Sequence, residues 1–278
     1  MTSTGPHGRE GPPSPEAATV FGVVTPTLNA ERYLEQTLDS IWSQVDEAIE
    51  VHHVVVDGGS SDDTLDITAR YPSTAVVSPD DRGMYDAVNR GLAQVRGDIV
   101  GYINADDEIA PGAFRAIAEA LAERPDRHWV CGRVEYIDGE GKVLGAMNPV
   151  LPSIDAYVGI GWSCIPQQTV WCRRTFLERV GPFDTTFKNC GDYDWYVRAL
   201  KLSPPIILRR TLGRFRLHGA QLSFDPEAMD RESRLVQDRH GGRSLSRYVQ
   251  GRLLSLRLNA RNPRWLIAKK TGRIRFTN

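Results

Sequence analysis

The sequence predicts an α/β protein: a mostly parallel β-sheet flanked by helices, followed by a basic helical appendage. Three observations lead there. Between Thr19 and Leu121, apolar β-branched runs alternate with segments whose apolar residues recur every three or four positions. Hydrophobic residues make up 41% and charged residues 25% of the chain, ordinary for a globular protein, and no stretch approaches the roughly 18–20 uncharged apolar residues of a membrane span. The net charge of −1 hides a segregation: residues 241–278 hold ten Lys or Arg and no acid, leaving 24 basic against 35 acidic side chains, or −11, on the preceding 240.

Taken in order, "MTSTGPHGREGPPSPEA" (1–17), with four prolines and three glycines, cannot bury enough apolar surface to offset the entropy of ordering and reads as a disordered tail. It has neither the apolar core of a signal peptide nor the Arg-rich pattern of a transit peptide and gives no evidence of export, while the four scattered cysteines point to a cytoplasmic protein. "TVFGVVTPT" (19–27) is a strand ending in a Thr-Pro-Thr turn. A helix follows over 30–44, where Tyr33, Leu34, Thr37, Leu38, Ile41 and Trp42 form one face. "VHHVVVDGGSSDDTLDITARY" (51–71) repeats the unit, with Ser60 or Ser61 as the expected helix cap and Asp62 and Asp63 in the first turn. "STAVVSPDD" and "GMYDAVNRGLAQVRG" make a third unit, "DIVGYINADD" gives a fourth strand, and Pro111 opens a helix through Leu121. Such alternation forces right-handed crossovers and a sheet covered on both faces.

In a sheet of this kind, ligands bind outside the carboxyl ends of the strands. Pro26 and Thr27, Asp57, and Asn104 through Asp107 each follow a strand, so they are expected on one edge. Asp106 and Asp107, adjacent at the mouth of a core strand, repel each other and lose hydration; a divalent cation would relieve both. The first turn, "TPTLNAER", has no glycine, and neither a GxGxxG nor a GxxxxGK[ST] pattern follows any strand, which excludes nicotinamide oxidoreductases and P-loop kinases. Cys131, Cys164, Cys172 and Cys190 lack zinc-site spacing and read as reduced packing residues. In the C-terminal block, Tyr248, Leu253, Leu254, Leu256, Leu258, Trp265, Leu266 and Ile267 are interleaved with arginines. That mix fits a basic amphipathic helix on an anionic membrane, and equally a helix that packs its leucines on the domain; no nucleic-acid motif is present.

The blocks "VVTPTLNAERYLEQTLDSIWSQ", "HHVVVDGGSSDDT", "DRGMYDAVNRGL", "GDIVGYINADD" and "CGDYDWYVRAL" together resemble, in order and spacing, the inverting glycosyltransferases of family 2, over roughly residues 19–218. The resemblance implies a GT-A (Rossmann-like) fold over 18–220, with a nucleotide-sugar half (18–110), an acceptor half (111–220) and a basic helical extension (221–278). It implies that Pro26, Thr27 and Asp57 meet the donor nucleotide, and that Asp81, Gly83, Tyr85, Asp86 and Asn89 line its ribose and sugar. The family's DXD metal motif falls on Asn104, Ala105 and Asp106, with a neutral first position. Asp106 is then the main ligand of Mg²⁺ or Mn²⁺, with Asp107 behind it. Asp192 matches the family's general base, the preceding Glu being Gly191 here. Asp194 is expected to be structural. Gln167 stands where His is common in a His-Gln segment. Arg216 and His218 stand where relatives contact pyrophosphate or metal.

The chemistry these residues would serve is consistent. A nucleoside diphosphate leaves with negative charge that a divalent ion stabilises, and a carboxylate at the acceptor hydroxyl removes its proton. One base and one displacement imply inversion. The expected partners are a nucleotide sugar, UDP favoured over GDP and dTDP, and a hydroxyl of a polysaccharide or lipid-linked glycan. A catalytically silent sugar-nucleotide scaffold has no need of Asp192. A nucleotidyltransferase would need a basic phosphate loop that is missing.

Overall fold

The structure, a computed structural model, describes residues 18–78, 82–161, 164–219, 225–272 and 274. The 1–17 tail and Asp81 lie outside the described residues. Strands β1 (Thr19–Thr27), β2 (Ile49–Asp57), β3 (Thr74–Val77) and β4 (Ile99–Tyr102) alternate with helices α1 (Leu34–Trp42), α2 (Thr64–Thr68) and α3 (Met84–Gln94). Then come β5 (Glu108–Ile109), α4 (Ala113–Glu123), β6 (Trp129–Ile137), β7 (Val143–Met147), α5 (Ile154–Ile160), β8 (Trp171–Arg173), α6 (Arg174–Val180), α7 (Gly191–Leu202) and β9 (Ile206–Arg216). Helices α8 (Pro226–Arg239), α9 (Leu245–Arg261) and α10 (Pro263–Lys270) follow.

One sheet runs β3-β2-β1-β4-β8-β6-β9-β5, with β7 paired to β6. The first four strands are parallel, as their βα alternation requires. The second half is mixed: β8 enters antiparallel between β4 and β6, while β9 is parallel to β6 and antiparallel to β5. Along β1, Phe21 and Val23 pack with Phe114 and Ile117 of α4 on one face, and Val24 packs with Val88 and Leu92 of α3 on the other. Register pairs Thr27 with Asp57 and Val24 with Tyr102, so β1, β2 and β4 end along one edge.

Helix α2 begins at Thr64, later than its caps suggest. Ser60 donates instead to Asp57, and the loop is stitched to the one after β1: Asn29 N–H donates to Ser60 Oγ at 2.8 Å and Ser61 N–H to Asn29 Oδ1 at 2.9 Å.

The C-terminal helices pack back onto the domain. Leu254, Leu258, Trp265 and Ala268 join the core that holds Tyr157 and Tyr193. Helix α9 crosses α5 where Gly251 meets Gly159; a Cβ on Gly159 would lie 1.8 Å from Arg247 O, so this crossing needs the missing side chains. The Asn262 amide accepts from Asn148 N–H at 2.7 Å and donates to Asn148 O at 2.9 Å, clamping the α9–α10 corner to the segment after β7. The opposite face leaves Leu245, Leu253, Leu256 and Ile267 exposed beside Arg252 and Arg257. Among the described residues no helix is long and apolar enough to cross a membrane.

Candidate active site

The carboxyl ends of β1, β2 and β4 open into a cleft of about 1270 Å³. That is space for a nucleotide sugar and an acceptor together. Pro26, Thr27, Gly83, Tyr85, Asn104, Asp106, His218 and Asp192 all line it. Residues from five separated segments of chain are thus gathered on one surface.

At the tip of β4 the two acids part. Asp106 faces the cleft, where its Oδ2 lies 2.9 Å from His218 Nε2. Asp107 is fully buried behind it: Gln168 Nε2 donates to Oδ2 at 2.8 Å and Arg216 N–H to Oδ1 at 2.9 Å. Burial, reinforced by the neighbouring Asp106 charge, holds its carboxyl well above the usual carboxylate range. The expectation of Asp107 as a metal ligand is therefore corrected: both of its oxygens are engaged in a buried network.

Arg216 is corrected as a donor contact as well. Its side chain is 0% exposed. The guanidinium donates to Asp106 O at 2.9 Å and Asp138 O at 3.1 Å, pairs with Glu108, and lies 4.7 Å over the Tyr33 ring. It pegs the turn that carries Asp106. Asp57, expected at the base, is also fully buried, with Gly58 forming the wall in its place. Its Oδ1 accepts from Gly59 and Ser60 N–H, and its Oδ2 from Ser60 Oγ and Thr27 Oγ1. Asp86 and Asn89 do not line the cleft: Asp86 pairs with Arg90 at 2.8 Å, and the Asn89 amide is locked to both backbone groups of Phe183.

Across the cleft, Asp192 sits in the first turn of α7. Its Oδ1 accepts from Tyr193 N–H at 2.7 Å and from Tyr85 O–H at 3.2 Å, and Oδ2 has no partner among the described residues. Burial pushes its carboxyl up to about 6, against the lowering pull of those two donors. The departure at Gly191 now has a cause. A Cβ there would lie 2.7 Å from the ring of Tyr85, the aromatic that holds Asp192, so in this chain the glycine lets the two pack closely.

Gln167 and Asn104, singled out in the sequence, both line the cleft, whereas Arg32, Arg82, Lys188 and Lys269 carried no mark there. Gln167 donates to Tyr102 O at 2.8 Å, which fixes its amide and leaves Oε1 buried without a donor; Asn104 Oδ1 is in the same position. Both are acceptors suited to ligand hydroxyls. Arg32, Arg82, Lys188 and Lys269 bring positive charge to the rim, and Trp265 and Lys269 come from the C-terminal extension.

The sequence profile described as Glycosyl transferase family 2 matches residues 22–181, more than half of the chain. The chain belongs to glycosyltransferase family 2. An uncharacterized glycosyltransferase of Mycobacterium tuberculosis is 27% identical over 85% of this chain and 92% of its own. A PGL/p-HBAD biosynthesis glycosyltransferase of Mycobacterium bovis is 29% identical over 69% of this chain and 74% of its own. Among solved structures, S. aureus TarS 1-349 with UDP-GlcNAc aligns with a TM-score of 0.60 at 20% identity, over 78% of this chain and 66% of that one. This family 2 chain covers 38% of the longer TarS chain. The mannosyltransferase PcManGT of Pyrobaculum calidifontis, with GDP-Man and Mn²⁺, aligns with a TM-score of 0.57 at 20% identity, over 94% and 75%. The fold is that of the GT-A glycosyltransferases, and the protein is a glycosyltransferase enzyme.

The residues present fit a divalent ion held mainly by its substrate. Among the described residues no three His, Cys, Asp or Glu are grouped to hold a metal. Asp106, His218 and the donorless Asn104 Oδ1 nevertheless share one wall. Mg²⁺ and Mn²⁺ in phosphate sites take one or two protein carboxylates and complete their shells with phosphate oxygens and water.

Proposed function

We propose that this glycosyltransferase moves a sugar, with inversion, from a nucleoside-diphospho-sugar to a hydroxyl of a polysaccharide or lipid-linked glycan. A UDP-sugar is favoured, since TarS is seen with UDP-GlcNAc; the GDP-Man of PcManGT makes GDP the alternative. The observation that carries the reading is Asp192: one carboxylate on the cleft wall, held by Tyr85 through Oδ1 and with Oδ2 unengaged. It takes the proton of the acceptor hydroxyl as that oxygen bonds the anomeric carbon and the bond to the diphosphate breaks. Asp106 and His218 would hold Mg²⁺ or Mn²⁺, which when bound stabilises the charge of the departing diphosphate. Asn104 and Gln167 accept from sugar hydroxyls.

The exposed leucines of α9, interleaved with Arg252 and Arg257, support peripheral attachment to an anionic membrane surface on the cytoplasmic side. Replacing Leu253 and Leu256 with Ser, which spares the packed face, should abolish co-sedimentation with anionic liposomes; unchanged co-sedimentation would remove that attachment.

The function is tested by incubating the protein with UDP- and GDP-sugars and Mn²⁺ or Mg²⁺, with and without a glycan acceptor. Nucleoside diphosphate release that EDTA abolishes is expected. Pyrophosphate release, or turnover indifferent to EDTA, contradicts the reading.

A further inference from the structure

The cleft continues past Asp192, and its character changes. Val134 and Tyr136 of β6, Met147 of β7, Phe215 of β9, Met229 of α8 and Trp265 of α10 line this end. A free sugar presents hydroxyls on every side and binds through hydrogen bonds, whereas these six side chains offer mainly carbon, sulfur and ring faces. The same end is closed by the C-terminal extension, whose Trp265 and Lys269 lie on one face of α10, with Lys269 Nζ 4.8 Å over the indole ring. The Gly159–Gly251 crossing fixes α9 against the domain and the Asn262 clamp fixes the corner from which α10 starts, so this wall is built into the fold.

We propose that this end of the cleft binds an apolar alkyl or aryl aglycone of the acceptor, with the partly exposed Phe215 and Met229 as its main contacts and Trp265 packed behind them, while the hydroxylated end reaches Asp192. The inference rests on the glycosyl-transfer reading and specifies its acceptor class. Each methylene buried against such a wall is worth about a fourfold gain in affinity when fully desolvated, so the five extra methylenes of a hexyl chain have a ceiling of about 10³-fold. With about half of that surface desolvated they should gain roughly 10- to 100-fold over methyl.

The test is equilibrium binding of methyl, hexyl and phenyl glycosides of one sugar to the full-length protein, by calorimetry below micelle-forming concentrations, with UDP and Mn²⁺ present so that no sugar is transferred. Hexyl and phenyl glycosides are expected to bind at least about tenfold tighter than methyl. Phe215→Ala should erase that preference and Phe215→Leu should retain it. A second variant tests the same wall from the other side: Met229→Trp, which fills the channel from its partly exposed side, should weaken hexyl and phenyl binding and spare methyl. Equal binding of the three glycosides, no binding by any, or a preference that survives both variants overturns the proposal. Donor binding measured in the same cell separates the two levels: absence of donor binding sinks glycosyl transfer, whereas donor binding without chain preference sinks only the apolar aglycone.

Discussion

The tip of β4 and the first turn of α7 each carry two acids close in sequence, and in both places one acid faces the cleft while the other is locked inside. At β4, Asp106 contacts His218 directly on the cleft wall and Asp107 is buried on Gln168 and Arg216. At α7, Asp192 keeps Oδ2 for the cleft. Asp194, 1% exposed, accepts from His240 Nε2 at 2.9 Å and Arg198 Nε at 2.9 Å. The buried partners are shifted in opposite directions. Burial and the Asp106 charge raise Asp107, whereas hydrogen bonds and charge from His240 and Arg198 outweigh burial and hold Asp194 below the usual carboxylate range. The outer acids are arranged for chemistry and the inner ones for holding distant segments together.

Variants that separate activity from stability would break this division if it is wrong. The largest effect is expected at Asp192→Asn: transfer should fall about 10²- to 10⁴-fold, the usual contribution of a general base, with donor affinity and melting temperature maintained. Full turnover by that variant would remove the base assignment. Next comes Asp194→Ala, which leaves the buried His240 and Arg198 donors without their acceptor. A loss of about 2–3 kcal/mol is expected, discounted because Arg198 is partly exposed, lowering Tm by roughly 4–12 °C in a thermal melt while the folded fraction still binds donor. Asp106→Ala should do the reverse: at least about tenfold weaker donor binding in Mn²⁺, no change in Tm, and no difference from the native protein once EDTA is added.

That division was only half legible in the sequence. The βα units could be read because strand and helix periods differ, and Asp106 and Asp192 could be placed because each follows a strand end or opens a helix. At α7 the structural role is expected of Asp194, and Arg198 one turn on is a local signal for it. At β4 the acid that turns inward is decided by Gln168 and Arg216, 61 and 109 residues away from Asp107, and no local pattern carries that information. The resemblance puts Arg216 where relatives contact pyrophosphate, yet backbone carbonyls and Glu108 take up its guanidinium. The C-terminal block misled in a different way. Its leucines surround α9 on all sides, so its sequence is compatible with a membrane surface, while the packed face is marked by Gly251, a residue with no hydropathy signal. The contribution of Trp265 to the cleft therefore emerged only with the fold.

The smallest effect is also the most discriminating, because it asks what holds the outer acid at α7 in its working state. With the Asp192 carboxyl pushed up to about 6, the base form dominates above that pH, so kcat/KM should fall about tenfold per unit below it. The Tyr85 hydroxyl favours the ionised form, and Tyr85→Phe should therefore move this acid limb upward. A full hydrogen bond to a charged group would shift it by one unit or more; at 3.2 Å, and shared with Asn189 O at 3.3 Å, the shift should be about one unit or less. The variant is then several-fold slower near pH 6 and nearly unchanged near pH 8. Gly191→Ala should move the limb the same way, since its methyl group would press on the Tyr85 ring and draw the hydroxyl from Asp192. An acid limb that stays in place in both variants would mean that the Tyr85 hydroxyl serves Asn189 O, and that burial and the Tyr193 N–H alone set the ionisation of Asp192.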